Sequence, residues 1–346
     1  MATMEDIAKK LNISKSTVSK GFSGAADVSE TMRKSILEAA VELGYNRTMR
    51  RGDAPRFVVF IENMVYESPE DFGYDIILGF RKMAEPDGNE VVIEPLSDML
   101  EKQFDYDTYM LEHNYAGAMF LGMTLSDPWL RQLKHSRTPA VLYDNYVKVN
   151  PTTAYIGVDN FEAMRLSVSY LKKLGHRKIG YLSGALGSYI NQQRYSAFFQ
   201  ALRTYQMPDS PSLAGNSYYF SECLQTHFPR LLQQGVTAIL CSHDLLAHTL
   251  MIHAQERGLV VPRDLSIIGF DDLPLCAHTY PPMTTIRQER EEIGRSAYYA
   301  LRSLMGGIPI STLLLHAKLM TRQSTGPAPD ILPAARLHLP IEEAST

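Results

Sequence analysis

Lys15, Ser16, Thr17, Ser19 and Lys20 place ammonium groups and short hydroxyls within less than two helical turns. Those groups donate well to phosphate oxygens and to base edges in a DNA groove. To be useful they must be held on one rigid face. Ile7, Ala8, Leu11, Ile13 and Val18 are spaced so that two short helices crossing steeply would share a core. Asn12 stands at the corner, where φ > 0 is expected and Asn tolerates it. Ser14 is the expected cap of the second helix. A third amphipathic helix is expected from about Ser29 to Leu43, with Met32, Ile36, Ala39, Ala40 and Leu43 on one face. Ser29 would cap its start and Gly44 would end it. The pattern is a helix-turn-helix for DNA, against the blander reading of a surface helical hairpin with solvated lysines. Charge favours DNA. Residues 1–56 carry ten Lys+Arg against seven Asp+Glu, while the whole chain is net −4.

A second group of reactive side chains follows short apolar runs. Asp144 comes after Ala140–Tyr143, Asp271 after Leu265–Phe270, and His243 beside Asp244 after Thr237–Cys241. Carboxylates at strand ends accept hydrogen bonds from ligand hydroxyls, and Phe72, Tyr218 and Tyr219 offer faces for a ring to stack on. The remaining strands are expected at Phe57–Ile61, Glu90–Glu94, Gly117–Leu121 and Lys178–Leu182. Helices are expected near 74–85, 102–113, 127–135, 160–174, 190–205 and 244–257. Strands alternating with helices of this length imply parallel sheets with right-handed crossovers. Two sets of four to six strands suggest two doubly wound subdomains, with ligands beyond the carboxyl ends of the strands.

The 346 residues exceed one ordinary domain, and 45% hydrophobic with 21% charged residues is a globular composition. No apolar run approaches membrane-spanning length, and the start Met1-Ala2-Thr3-Met4-Glu5-Asp6 lacks a basic-then-apolar signal region. Cys223, Cys241 and Cys276 match no metal spacing and read as reduced thiols, which places the protein in the cytoplasm. No metal or cofactor is expected: there is no HxxxH, GxGxxG or P-loop. An enzyme on such a core would need a nucleophile–base pair, and no GxSxG elbow is present. A pure sugar-binding receptor would leave Lys15–Lys20 unexplained.

Over nearly its whole length the chain resembles the lactose/galactose-repressor family of bacterial transcription regulators. The resemblance rests on Asp6-Ile-Ala…Ser14-Lys-Ser-Thr17-Val18-Ser19, Val28-Ser29…Arg33 and Ala39-Ala40…Leu43-Gly44-Tyr45. Further along it rests on Gly157-Val-Asp159-Asn160, Leu174-Gly175-His176 through Gly184, and Arg194 with Ala197-Phe198. In the carboxyl half it rests on Asp244…Ala247, Gly258 to Asp272, Pro282-Met-Thr284-Thr285-Ile286 and Arg322-Gln-Ser324-Thr325. It implies an all-α headpiece (1–45), a hinge (46–56) and a periplasmic-binding-protein-like α/β core (57–326), while Pro327, Pro329, Pro333 and Pro340 make 327–346 an expected flexible tail. Subdomain crossings are implied near Asp159, Gln288 and Leu315, giving an N-subdomain of about 57–158 and 289–315 and a C-subdomain of about 159–288 and 316–326.

The same resemblance makes Lys15, Ser16 and Lys20 base readers, and Thr3, Ser14, Thr17, Ser19, Ser29 and Arg33 phosphate contacts. It makes Arg194 and Asp271 effector contacts, puts His243 where the family often has Asn, and adds Gln288 and Asn160 at crossings. Leu121 stands where some sugar-binding relatives have a polar residue. The expected partners are a near-palindromic double-stranded operator, a small carbohydrate or sugar phosphate, and a second copy of the chain. A non-sugar effector or a partner-protein co-repressor is the alternative. The hinge departs from the family. It is short and lacks Leu, so Met49 flanked by Arg47, Arg50 and Arg51 either wedges the minor groove or is a basic linker touching phosphates.

Overall fold

The computed structural model describes residues 2–45, 54–337 and 339. The hinge residues Arg47, Met49, Arg50 and Arg51 lie outside the described residues. Three helices come first: α1 Met4–Leu11, α2 Lys15–Ser23 and α3 Glu30–Leu43. Asn12 takes φ 55 between α1 and α2, and Gly44 takes φ 67 after α3. Thr3, Ser14 and Ser29 cap the three helices through Asp6 N, Thr17 N and Met32 N. Ile7, Ala8, Val18, Phe22, Ile36, Leu37, Ala39, Ala40 and Tyr45 form their shared core, in which Phe22 stacks on Tyr45 at 5.2 Å.

The α/β core continues with β1 Arg56–Ile61, α4 Phe72–Ala84, β2 Glu90–Pro95, α5 Asp98–Gln103, α6 Tyr106–Glu112, β3 Tyr115–Leu121, α7 Pro128–Gln132 and β4 Ala140–Tyr143. Then come β5 Thr153–Val158, α8 Asn160–Lys173, β6 Ile179–Ser183, α9 Tyr189–Thr204, β7 Ala214–Asn216, α10 Phe220–Glu222 and α11 Phe228–Gln233. The chain finishes with β8 Ala238–Cys241, α12 Asp244–Glu256, β9 Ser266–Asp271, β10 Thr284–Arg287, α13 Arg290–Met305, β11 Thr312–Leu315, β12 Lys318–Met320 and α14 Pro333–Arg336.

These strands form two six-stranded sheets, ordered β11-β5-β4-β3-β1-β2 and β12-β10-β9-β8-β6-β7. β10 and β12 pair antiparallel, while β6 to β10 pair in parallel with their neighbours. β8 and β9 are buried along their whole length, as strands covered on both faces must be. The doubly wound two-sheet core is therefore the expected one. β5, β7, β10, β11 and β12 were not among the expected strands; each is short or bounded by Pro, Thr and Gly, which blur its periodicity. The single helix expected near 102–113 is two, broken at Phe104–Asp105, where Asp105 caps α6.

The chain divides into two compact units. The first comprises Met1–Met64, Ile76–Ile156 and Glu291–Leu313; the second comprises Val65–Asp75, Gly157–Arg290 and Leu314–Thr346. The Val65–Asp75 excursion is a feature that no sequence pattern signals. In the first unit Phe60, Tyr106, Tyr109, Phe120 and Trp129 pack edge-to-face and stacked, and the Trp129 indole donates to Phe104 O at 2.9 Å.

The segment after Gly326, expected from its prolines to be a flexible tail, is instead anchored as far as it is described. Ala334 is fully buried, Leu337 and Leu339 pack on the second unit's core, and Arg336 Nε meets the buried Asp264 at 2.6 Å. Apolar anchoring outweighs the prolines there.

In the first unit Glu62, Glu101 and Asp127 gather at the end of β1. Burial, and then hydrogen bonding with Asp127, pushes Glu62 up to about 8; burial, and then the charge of Asp127, pushes Glu101 up to about 7. Both carboxyls have native values above their ordinary 4.5, so ionisation opposes folding. The penalty is full above the native value and fades as pH falls toward 4.5. Glu101→Gln is therefore expected to raise Tm at about pH 8.5 and to add little at about pH 5. Calorimetry showing the same gain at both would remove the carboxyl as its cause.

Candidate DNA-binding and effector sites

On α2, Val18, Gly21 and Phe22 face the headpiece core, which leaves Lys15, Ser16, Ser19 and Lys20 on the solvent side. α1 and α3 carry acidic residues in their first turns, Glu5 with Asp6 and Glu30; α2 carries none and begins with Lys15. A helix start left positive loses a little stability and gains attraction for phosphate. Lys15 Nζ lies 3.3 Å from Glu5, and Lys20 pairs with Asp27. These pairs are exposed and weak enough to exchange for DNA groups.

The hydroxyls expected at phosphates do double duty. Thr3 is tied into a capping box with Asp6, and Ser14 Oγ caps Thr17 N at 3.0 Å while meeting Thr17 Oγ1 at 2.8 Å. Ser29 Oγ accepts from Met32 N at 3.3 Å. Arg33 is the exception among the expected phosphate contacts. Its Nη2 lies 3.0 Å from Glu112 on α6, both side chains largely shielded. In this arrangement a carboxylate holds the guanidinium that was expected to meet a phosphate.

The second group of residues assembles at the carboxyl ends of β6, β8, β9 and β10, within the second unit. Arg194, on α9, is buried. Its Nε donates to Asn160 Oδ1 at 3.1 Å, its Nη1 donates to Ser242 O at 2.5 Å and lies 3.8 Å from Asp271 Oδ1, and its plane stacks 3.7 Å from the Phe270 ring centre. Asp271 ends β9 at φ 123, a region that L residues rarely adopt. Gln288 Nε2 donates to Asp271 Oδ1 at 2.7 Å. Burial pushes the Asp271 carboxyl up to about 6, against the pull of Arg194 and Gln288. A strained, desolvated carboxylate accepts hydrogen bonds and the arginine fork beside it donates them, the two roles that a diol requires.

His243 caps α12, its Nδ1 accepting from Leu246 N at 3.1 Å, so Nε2 carries the proton. Burial, and then the charge of Arg194, holds its pKa down to about 4, leaving a neutral imidazole that offers one donor. Asp244 is a structural partner. It accepts from Leu273 N at 2.8 Å and Thr285 Oγ1 at 2.6 Å, and burial, then the charge of Asp271, pushes it up to about 7. A Cβ on Gly269 would collide with that carboxylate.

Arg194, Asp271, Gln288, Asn160 and His243 thus come together. Asp144, at φ 57 after β4, belongs to the first unit. Tyr218 and Tyr219, expected as stacking faces, are 76% and 64% exposed and pack on one another, rings 5.0 Å apart. The ring that meets His243 is Phe220, at 5.0 Å. Phe220 was not among the expected residues, and nothing in the run of aromatics shows which one the turn directs inward. Phe72 lies 5.7 Å from the guanidinium of Arg290, a residue the sequence reading passed over although it follows Gln288 by two. Among the described residues no group of three His, Cys, Asp or Glu is placed to hold a metal, and no helix is long and apolar enough to cross a membrane.

Residues 3–48 match the bacterial regulatory proteins of the lacI family, and residues 168–325 match a periplasmic binding protein-like domain. The HTH-type transcriptional repressor CytR of Escherichia coli (strain K12) is 29% identical over 338 residues, covering 95% of this chain and 97% of CytR. The solved complex of the transcriptional regulator CelR with cellobiose aligns at a TM-score of 0.68 and 23% identity, over 94% of this chain and 100% of CelR. The Lac repressor dimer bound to operator and the anti-inducer ONPF aligns at 0.65 and 23% identity, over 94% and 99%.

Removing one partner of a buried ion pair strands the other. Arg194→Ala is expected to cost about 3–5 kcal/mol in urea unfolding, since the buried Asp271 carboxylate would lose its ion-pair partner. A loss under about 1 kcal/mol would mean that Asp271 is solvated rather than paired.

Proposed function

We propose that this chain, with a lacI-family regulatory domain at residues 3–48 and a periplasmic binding protein-like domain at residues 168–325, is a ligand-responsive, DNA-binding repressor whose effector is a small carbohydrate or sugar phosphate held at Asp271. The observation that carries this reading is the buried Arg194–Asp271–Gln288 cluster, with the His243 donor beside it. It offers a charged acceptor, a donor fork and a neutral donor, the set that neighbouring ring hydroxyls satisfy. CelR was solved with cellobiose, and Lac repressor with operator and an anti-inducer, which supports the same class of ligand here.

On the DNA side, Lys15, Ser16 and Lys20 read base edges in the major groove, while Thr3, Ser14, Thr17, Ser19 and Ser29 lie toward the backbone. Two copies act together on a near-palindromic operator. Leu245 and Ile252 on α12, with Val260 and Tyr280 (88% exposed), make an apolar surface fit for a second copy; Gln255 ties α12 to Tyr280 O at 2.8 Å. Effector binding shifts DNA affinity only through its different affinities for two arrangements of the core.

Two experiments test these assignments. With an operator selected from random duplexes by the wild type, Lys15→Ala and Lys20→Ala are each expected to lose about 1–3 kcal/mol on the selected site and much less on scrambled DNA. Equal losses on both would make them phosphate contacts. In a thermal-shift panel of glucose, cellobiose, ribose and glucose 6-phosphate, a binder present at about 100 times its Kd stabilises by about 2.7 kcal/mol. That shift should vanish in Asp271→Ala. A shift that survives unchanged would place the effector elsewhere.

A further inference from the structure

Arg290 is the last residue of the second unit before the chain passes into the first, and Asp75 is the last residue of that unit's short excursion. They are 215 positions apart and meet in an ion pair: Arg290 Nη2 and Nε donate to Asp75 Oδ2 at 2.8 and 3.2 Å. Arg290 is nearly buried and Asp75 partly shielded. The same guanidinium lies 5.7 Å from the Phe72 ring centre, and its Nη1 donates to the main-chain oxygen of Asp271 at 3.4 Å. One side chain therefore touches the segment that brings Phe72 and the strained residue at the heart of the effector cluster.

We propose that Arg290 is a positioning residue for the effector site, latching the Val65–Asp75 segment through Asp75 while its bond to the Asp271 carbonyl holds that strained main chain. The inference rests on the effector-site reading above. Strain at φ 123 persists only where surrounding bonds over-determine it. Gln288 supplies one such bond on the carboxylate and Arg290 supplies another on the carbonyl. The task needs Arg rather than Lys, because three directions are used at once by a planar fork. The segment is tied within itself: Gly73 N donates to Val65 O at 3.0 Å, and Ser68 N to Asp71 Oδ2 at 2.9 Å.

The latch also stands at a mechanically privileged place. α4 and α13 begin at Phe72 and Arg290. Further along, inside the first unit, Gly79 and Gly294 let the two helices touch backbone to backbone, since a Cβ on either would collide with Glu291 O or Ile76 O. Asp75 and Arg290 thus join the starts of two helices that are locked together one turn later. A change in the Asp271 main chain on occupancy would be felt by that pair.

The test is hydrogen-exchange mass spectrometry on the full chain with no added compound, followed by the same four-compound thermal-shift panel. Asp75→Asn and Arg290→Gln are expected to speed exchange across residues 65–75 by about tenfold, with β6 and β8 unchanged. The doubly swapped variant, Asp75→Arg with Arg290→Asp, is expected to recover that protection but not the panel response, because the Asp271 carbonyl has lost its donor. Unchanged exchange over 65–75 in both single variants would overturn the latch. Recovery of both protection and panel response in the swap would overturn the positioning of Asp271. If the wild type answers no panel compound, the sugar reading fails, and the exchange data still decide the latch.

Discussion

A carboxylate and a guanidinium taken out of water at the end of a sheet are each costly alone, and neither is tolerated unless its surroundings are arranged around it. Asp271 and Arg194 impose that arrangement on the second unit. Arg194 requires acceptors on several sides and finds Asn160, Ser242 O and Asp271, with Phe270 beneath its plane. Asp271 requires donors and finds Gln288 on its side chain and Arg290 on its main chain. Two residues earlier along β9, on the same face by the period of a strand, Gly269 must lack a side chain because the Asp244 carboxylate occupies that space. Asp244 in turn spends its oxygens on Leu273 N and Thr285. Burial raises both carboxyls, and the charge of Asp271 raises Asp244 further, which keeps the two near their titration range rather than firmly ionised.

The headpiece obeys a different economy. Its stability is local: three caps, αL residues at Asn12, Gly24 and Gly44, and one small core. That leaves the start of α2 free of acidic residues, the opposite of what helix stability alone would choose. The choice makes sense if the helix start is itself a phosphate-seeking surface. Where the headpiece does commit a charge, at Arg33, it commits it to Glu112 of the core. A carboxylate there occupies the guanidinium that the sequence would assign to a phosphate.

What could be read from the sequence divides along the same line. Caps and turns depend on neighbours three or four residues away, so Thr3, Ser14, Asn12, Ser29 and Gly44 were legible. Asp271 was legible because an apolar run announces where a parallel strand ends. Tyr218, Tyr219 and Phe220 were not distinguishable, since which of three successive aromatics turns inward depends on a short helix beginning at Phe220 itself. Arg290 and Asp75 are separated by 215 positions, and no local pattern links them. The tail was misread because prolines were weighed and the buried Asp264 awaiting Arg336 could not be seen.

Magnitudes decide how much structural change an effector needs to produce. Coupling between two sites commonly amounts to about 1–3 kcal/mol. A hydrogen bond to a charged group contributes about 1.5–3 kcal/mol net. One ligand hydroxyl that bonds Asp271 in one arrangement of the core, and loses that bond in the other, therefore covers the whole range. No wholesale repacking is required. What is required is that Asp271 not drift to follow the ligand, because an acceptor that adapts to both arrangements bonds equally in both and shifts nothing. Strain at φ 123, held by bonds on both sides, is the property that prevents such drift. On the proposed reading, rigidity at Asp271 is the condition for any response at Lys15 and Lys20.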